Sequence, residues 1–323
     1  MTHRAVVRAF ANIALIKYWG KRPGLNNVPA TPSISLAIEA LKTETTVSRS
    51  NMPADEFILN SAPMDRQASL RMKNYLDYWR SSKLLRGRFV VESKNYFPTQ
   101  SGLASSSSGY AALAFALSVL AERKISPFAL TKLARIGSGS AARSVAGGLA
   151  VLPPGVNPGA KTLIAAERVP WGMVIVNVEG EEKLIGSRAG MEHCRRTSPY
   201  YQAWVRVAIK DFKLMLKAIT NNDFTQVGEI TESNALAMHA AIMASRPGLV
   251  YLAPASLEVI QAVRRWRRNG FESYVTIDAG RHPVILGRNS DLTKIARRIK
   301  QIKGVKSATI GRPAPGAKVI DFE

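Results

Sequence analysis

Apolar and polar positions alternate along residues 4–19, Arg-Ala-Val-Val-Arg-Ala-Phe-Ala-Asn-Ile-Ala-Leu-Ile-Lys-Tyr-Trp, which predicts a strand whose apolar surface is broken at Asn12. The alternating, β-branched stretch 33–49 predicts further strands, and Pro29 and Pro32 fix the connection into it. Residues 65–86 read as a helix with Leu70, Tyr75, Leu76 and Trp79 apolar, and Phe89 to Ser93 as a strand. Tyr96-Phe97-Pro98 leads into a serine loop and then an Ala/Leu-rich helix. Ser126-Pro127 opens the next helix as a cap and a first-turn proline. That helix stops at Gly137-Ser138-Gly139-Ser140, and Ala141 to Val145 restarts one carrying Arg143. Leu149 to Leu152 is strand-like.

The strongest break in composition is Pro153-Pro154-Gly155-Val156-Asn157-Pro158-Gly159, a turn cluster. Beyond it, Trp171 to Val178 predicts a strand, and a domain boundary falls near 155–185. A helical stretch opens at Ser187-Arg188-Ala189-Gly190-Met191, and helices follow at about 200–221, 223–243 and 254–269. Ser273 to Ile277 forms a strand ending in Asp278-Ala279-Gly280-Arg281-His282-Pro283, and Val284 to Leu286 pairs back antiparallel. A basic helix at 290–302 and a strand at Ser307 to Ile310 complete the pattern, without internal repeats. The second half reads as α+β, with helices grouped on one face of an antiparallel sheet.

Composition adds little to this until charge is considered. The 323 residues are 46% hydrophobic and 21% charged, as in a globular chain with a sizeable core. No uncharged apolar run reaches about 18 residues, so no membrane span is expected. The basic N-terminus meets Asn12 and Lys17 too soon for a signal peptide. Cys194 is the one cysteine, and the adjacent His193 is not at zinc spacing, so neither a disulfide nor a metal site is expected and a cytoplasmic location follows. The net charge of +22, from 45 Lys+Arg against 23 Asp+Glu, points to anionic partners. Nucleic acid, an acidic membrane surface and polyphosphorylated small molecules all fit that sign. The basic residues are scattered, however, and no nucleic-acid module is visible. Those at 294, 297, 298, 300, 303 and 306 interleave with Ile295, Ile299 and Ile302 as the solvated face of a helix.

Several segments carry candidate chemistry. Ser105 to Ser108 at the mouth of a helix can cap it or, with the helix dipole, receive phosphate oxygens. Lys17, Lys21 and Arg22 form a compact cationic loop around Tyr18 and Trp19. Arg143 can grip a carboxylate or phosphate through two parallel hydrogen bonds. Asp278 ends an apolar strand before two small residues, which leaves room for a ligand, and Arg281 and His282 beside it are expected to keep it ionised. Asp278 also fits a turn-capping role before Gly280. His239 sits on a helix as a core or supporting histidine, and His3 is expected to be exposed.

Taken together, Asn12-Ile13-Ala14-Leu15-Ile16-Lys17-Tyr18-Trp19-Gly20-Lys21-Arg22, Gly102-Leu103-Ala104-Ser105-Ser106 with Gly109-Tyr110-Ala111-Ala112-Leu113, Gly137 to Ser144, and Asp278-Ala279-Gly280 resemble the ordered motifs of the mevalonate diphosphate decarboxylases of the GHMP kinase superfamily. Weaker matches are Ser187 to Met191, Thr197-Ser198-Pro199 and Met238-His239-Ala240 with Tyr251-Leu252. The resemblance spans nearly the whole chain. It implies an α+β, α/β two-layer GHMP kinase-like fold: a ribosomal-protein-S5-like domain over 1–170 and a ferredoxin-like α+β domain over 171–323 carrying Asp278, with the site between them. It implies a carboxy-lyase of isoprenoid biosynthesis that uses ATP and Mg²⁺ to phosphorylate the tertiary hydroxyl of mevalonate 5-diphosphate, then releases phosphate and CO₂ to give isopentenyl diphosphate. By motif position, Asp278 takes the hydroxyl proton, with Arg143 on the substrate carboxylate and Lys17 beside them as a third catalytic residue. Asn12, Tyr18, Lys21, Ser138, Ser140, Ser187 and Arg188 hold the phosphorylated mevalonate. Gly102, Ser105, Ser106, Ser107, Ser108 and Gly109 cradle the ATP phosphates. A homodimer is implied, and neither nucleic acid nor membrane is a partner.

Two departures bear on the substrate. The family commonly has Asn-Ser-Ser where this chain has Thr31-Pro32-Ser33, and Pro-Asn where it has Arg281-His282. Related decarboxylases take mevalonate 5-phosphate, or a 3,5-bisphosphate without ATP and Mg²⁺. An extra arginine beside Asp278 suits the bisphosphate, whereas the retained serine loop argues for ATP. A plain small-molecule kinase and a basic nucleic-acid-binding protein on the same fold are the rival classes. Release of CO₂ separates the first, and salt-sensitive binding the second.

Overall fold

The computed structural model describes every residue except 1, 23, 25, 98–104 and 182–184. The first half runs β1 (Arg4–Ile16), β2 (Ser33–Ser50), β3 (Glu56–Leu59), β4 (Ala62–Pro63), α1 (Arg66–Ser81), β5 (Arg88–Asn95), α2 (Ser105–Val119), α3 (Pro127–Gly137), α4 (Ala141–Ala146), β6 (Leu149–Leu152) and β7 (Lys161–Ile164). The second half runs β8 (Trp171–Val178), α5 (Ser187–Thr197), α6 (Tyr201–Thr220), α7 (Phe224–Met243), α8 (Pro254–Arg268), β9 (Tyr274–Ile277), β10 (Pro283–Arg288), α9 (Leu292–Ile299), β11 (Val305–Gly311) and β12 (Lys318–Phe322). Caps start the helices where the sequence placed them. Asp65 accepts the N–H of Ala68 at 2.8 Å ahead of α1, and Ser126 that of Ala129 at 3.3 Å ahead of α3.

The larger sheet has the order β12-β1-β2-β5-β3-β4, and the smaller one β11-β8-β10-β9. β2 is long enough to serve two neighbours, pairing with β5 through Thr43 to Ser50 and with β6 through Ser33 to Leu36. β1 pairs antiparallel with β2, and its register shifts between Phe10 and Asn12 and again between Ala14 and Ile16. Such bulges re-aim side chains; here they deliver Asn12 and the end of β1 toward the middle of the molecule.

Three apolar clusters hold these layers. One joins Val7, Ala9 and Val91 of the larger sheet to Trp79 of α1, Leu113 and Leu117 of α2, and Leu130 of α3. A second unites the halves, packing Ile13, Leu15 and Leu36 against Met173 and Ile175 of β8 and Met215 of α6. The third covers the far face of the smaller sheet, where Val174, Val176 and Ile285 meet Val259 of α8 and Ile295 of α9. The smaller sheet therefore carries helices on both faces, not on one. β8 is buried at seven of eight positions and β9 at all four, so each face demands a cover.

Other sequence expectations are corrected here. In α1 the buried stripe is Met72, Tyr75, Leu76 and Trp79, and Leu70 stands 55% exposed. The chain does not finish in the second half: β12 returns to pair antiparallel with β1. Short strands β3, β4, β7 and β12 escaped the pattern because they are short and have few buried positions, as in the exposed run of β7, and all but β3 lie at sheet edges. His3 is exposed, as expected, and Cys194 is a buried thiol. No helix among the described residues is long and apolar enough to cross a membrane.

The returning C-terminal segment leans on Gly147, whose φ of +70° favours glycine. A Cβ there would lie 1.9 Å from the backbone nitrogen of Gly316. Gly147→Ala should cost about 1–3 kcal/mol from backbone strain alone. Urea unfolding reads this directly, and a variant as stable as the parent would show that the crossing is not packed in this way.

Candidate active site

β1 and β9 end side by side, and their next polar residues meet. Lys17 Nζ donates to Asp278 Oδ1 at 2.5 Å. The lysine side chain is 2% exposed and the aspartate 33%, so the pair sits at the floor of an opening. Burial is the main influence on Lys17 and lowers its pKa; Asp278 opposes this, and Arg143 adds to it. The opening is a cavity of about 660 Å³ between the two halves. Lys17, Lys21, Arg71, Arg143 and Arg188 line it, and Asp278 is the one carboxylate among its described lining residues.

Arg143 rises from α4 and is buried, with every nitrogen engaged by a neutral group. Nε donates to Ser35 Oγ at 2.8 Å, Nη1 to Ser33 Oγ at 2.5 Å and Nη2 to Asn12 Oδ1 at 3.3 Å. Ser33 and Ser35 lie two residues apart on β2 and so share a face. Asn12, turned by its bulge, donates to Ser140 O at 3.0 Å and Ser144 Oγ at 2.7 Å. Burial pulls the guanidinium pKa down to about 10, which leaves it charged at neutral pH. The supporting roles of Ser33 and Ser35 went unread in the sequence, although their period-two spacing was there to find.

A second cationic corner forms around Asn27. Tyr18 donates to Asn27 O at 2.8 Å and Lys21 Nζ to Asn27 Oδ1 at 2.7 Å. Burial, with Arg188 close by, pulls Lys21 down to about 8, and burial raises the Tyr18 phenol. Gly139 admits the tyrosine, since a Cβ there would stand 2.2 Å from its hydroxyl. Ser187 and Arg188, at the start of α5, face the same cavity.

The serines divide. Ser105, Ser106 and Gly109, in the first turns of α2, line the cavity, whereas Ser107 and Ser108 are buried and Ser108 Oγ lies 2.7 Å from Thr43 Oγ1. Gly102 lies outside the described residues. Ser106 Oγ is 3.3 Å from Ser138 Oγ, which is 3.3 Å from Ser140 Oγ, so a line of hydroxyls joins the two serine segments. Beyond them an arm of the cavity runs past Met64, Ala68, Arg71 and Met72 to Asn95. This arm was missed in the sequence. Its signal was Ala68 and Met72, four residues apart on one side of α1, with Met64 just ahead of the helix.

Comparison with known proteins matches this geometry from end to end. The family description "Diphosphomevalonate decarboxylase-like N-terminal domain" fits residues 9–164, and "Mevalonate 5-diphosphate decarboxylase C-terminal domain" fits residues 173–313. The diphosphomevalonate decarboxylase of Aspergillus fumigatus is 34% identical, over 94% of this chain and 81% of its own length. The chain belongs to the diphosphomevalonate decarboxylase family. Among solved structures, mevalonate diphosphate decarboxylase from Staphylococcus aureus superposes with a TM-score of 0.93 at 34% identity, covering 99% of each chain. The enzyme from Enterococcus faecalis gives 0.91 at 34% identity, over 99% of this chain and all of that one. A further neighbour, MDDEF in complex with MVAPP, AMPPCP and magnesium, gives 0.92 at 34% identity, with 99% and 100% covered.

Against this family background, the departure at Arg281-His282 loses its significance for the cleft. Arg281 donates to Val178 O at 3.4 Å and Glu181 O at 2.5 Å. His282 is buried and its Nδ1 accepts the N–H of Val178 at 3.2 Å. Neither lines the cavity. The turn after Asp278, closed by Gly280 N–H on Asp278 O at 2.7 Å, sends both side chains toward β8, so the cation beside the aspartate is Lys17. His239 is buried, as expected for a supporting histidine, and burial with Lys17 nearby lowers its pKa to about 4.

Lys21 makes anion binding pH-dependent. It is charged below about 8 and neutral above, so affinity for inorganic diphosphate should weaken as pH rises through that value. Titration calorimetry between pH 7 and pH 9, taken as about one unit on either side, reads the effect. Lys21→Met should remove most of the pH dependence; an unchanged dependence would place the titrating group elsewhere.

Proposed function

We propose that the chain transfers the γ-phosphate of ATP to the tertiary hydroxyl of mevalonate 5-diphosphate and then eliminates phosphate and CO₂, giving isopentenyl diphosphate and ADP. The observation that carries this reading is the Lys17–Asp278 pair facing Arg143 in a cavity whose other charged side chains, among the described lining residues, are cations. Five cations and one carboxylate among those described residues suit a substrate with several negative charges and one proton to lose. The relatives' printed names and the MVAPP complex support the substrate, and AMPPCP with magnesium supports ATP use.

Each group then has a task. Lys17 holds Asp278 Oδ1, which leaves Oδ2 to take the hydroxyl proton as the oxygen attacks phosphorus. Arg143, fixed on three sides, meets the substrate carboxylate and orients it. Tyr18, Lys21, Arg188, Ser138 and Ser140 receive the 5-diphosphate. Ser105, Ser106 and the N-terminal turn of α2 face the nucleotide phosphates, where exposed N–H groups and the helix dipole favour anions. The arm lined by Met64, Met72 and Tyr110 is apolar enough for a base, with Arg71 at its side. Among the described residues no group of three or more acidic, histidine or cysteine side chains could hold a metal. Mg²⁺ would be held with the phosphates beside Ser105, Ser106 and Asp278, where it would supply neutralising charge.

In the second stage the C1–C2 bond breaks and its electron pair becomes the C2=C3 double bond. The C3–O bond breaks with it, and phosphate leaves. Positive charge builds at C3, and Asp278 close to that carbon stabilises it. With Arg281 turned away, the feature that favoured a 3,5-bisphosphate substrate is gone.

Supplying mevalonate 5-phosphate, 5-diphosphate and 3,5-bisphosphate, each with and without ATP and Mg²⁺, tests the reading by CO₂ release. Only the 5-diphosphate with ATP and Mg²⁺ should turn over efficiently. Asp278→Asn should slow it by about 10²-fold or more through lost proton transfer. CO₂ release at the parent rate from that variant, or without ATP, would refute the proposal.

A further inference from the structure

The reacting pair is assembled from distant parts of the chain: Lys17 follows β1 and Asp278 follows β9. Both hang from a single helix. On α7, Asn234 Oδ1 accepts the backbone N–H of Lys17 at 2.8 Å. Its Nδ2 donates to Asp211 Oδ2 of α6 at 2.9 Å. The lysine N–H only donates and the carboxylate accepts, so one orientation of the amide satisfies both. Five residues along α7, His239 Nε2 lies 3.2 Å from Asp278 O and, facing a carbonyl, carries the proton. Glu232 of the same helix accepts the N–H of Val275 in β9 at 3.2 Å and is gripped by Arg264 and Arg267.

All three side chains are buried: Asn234 at 0%, His239 at 1% and Glu232 at 4% exposure. None of them lines the cavity, so none touches substrate. Helix α7 already has an apolar face, including Phe224, Val227 and Met238, and that face could seat it without buried polar groups that must each find a partner. The polar groups spend their hydrogen bonds on the backbones that deliver Lys17 and Asp278.

We infer that Asn234 and His239 are positioning residues that set the placement of Lys17 against Asp278, with Asp211 orienting the Asn234 amide. The inference rests on the proposed reaction for its activity readout. Asn234 fixes where the lysine leaves β1, and His239 fixes the carbonyl from which the aspartate side chain extends. A displacement of about 1 Å at a reacting group costs on the order of 10²-fold in rate.

The test compares His239→Leu, His239→Gln, Asn234→Leu and Asp278→Asn at a temperature where circular dichroism shows each folded. His239→Leu and Asn234→Leu should lose about 10- to 100-fold in kcat, with KM for both substrates within about threefold of the parent. His239→Gln keeps an N–H donor for Asp278 O and should recover most of that loss. Parent kcat in the leucine variants while Asp278→Asn is inactive overturns this inference alone. Parent activity in Asp278→Asn overturns the proposed function instead. If the leucine variants do not fold, Asp211→Leu at its half-buried position decides: about a 3- to 10-fold fall in kcat at constant KM supports the inference, and parent kcat overturns it.

Discussion

The structure depends on a lysine that has been taken out of water. Desolvation works against the charge of Lys17, and the attraction of Asp278 at 2.5 Å works for it. Pairs of this kind contribute little net stability, because desolvation offsets most of the Coulombic gain, yet losing one partner leaves a buried charge stranded. The pair therefore constrains geometry more than it stabilises. It makes a folded chain with β1 and β9 misaligned expensive. Thr276 of β9 adds a further tie by donating to Ala14 O at 3.1 Å, so the two strand ends are fastened just before the reacting side chains begin.

The cations of the cleft differ in their partners from many of those elsewhere. Several partly buried arginines outside it are paired with carboxylates: Arg80 with Asp55, Arg8 with Glu44, and Arg264 and Arg267 with Glu232. Inside it, cations are oriented by neutral acceptors. Arg143 is held by two serines and an asparagine, and Lys21 by Asn27. Arg135, behind Asn27, donates to Pro158 O, Asn26 O and Asn157 Oδ1. A neutral partner fixes a side chain without cancelling its field, so the charge stays available to an incoming anion. Lys17 is the exception, and it is the cation whose partner takes the proton in the proposed reaction.

How much of this was legible in the sequence follows from the same physics. Helices such as α3, α7 and α8 and strands such as β8 announce themselves through caps and long apolar runs, because their burial is dictated locally. The convergence of Asn12, Lys17, Arg143 and Asp278 was not readable from periodicity; it came from the order of motifs along the chain. What stayed hidden was direction. Arg281 and His282 follow Asp278 immediately, yet a single turn sends them to Val178 and Glu181. Ser107 and Ser108 read like Ser105 and Ser106, but a helical turn carries the first pair into the core. Edge strands such as β12 were lost because an element with four of five positions exposed has no buried face to reveal it.

The two arms of the cavity differ in what they depend on. The arm bounded by α1, β5 and the start of α2 is built wholly from the first half, so its shape follows from one sheet and its own helices. The Asp278 end is built from both halves and inherits every error in their relative placement. It is there that the cross-ties accumulate: Thr276 on Ala14, the shared core around Met173 and Leu15, and α7 bonded to the backbones of both Lys17 and Asp278. Bonds between halves are concentrated where sub-ångström position matters for proton transfer. The arm proposed to hold the nucleotide, where charge acts over longer distances, can do with less.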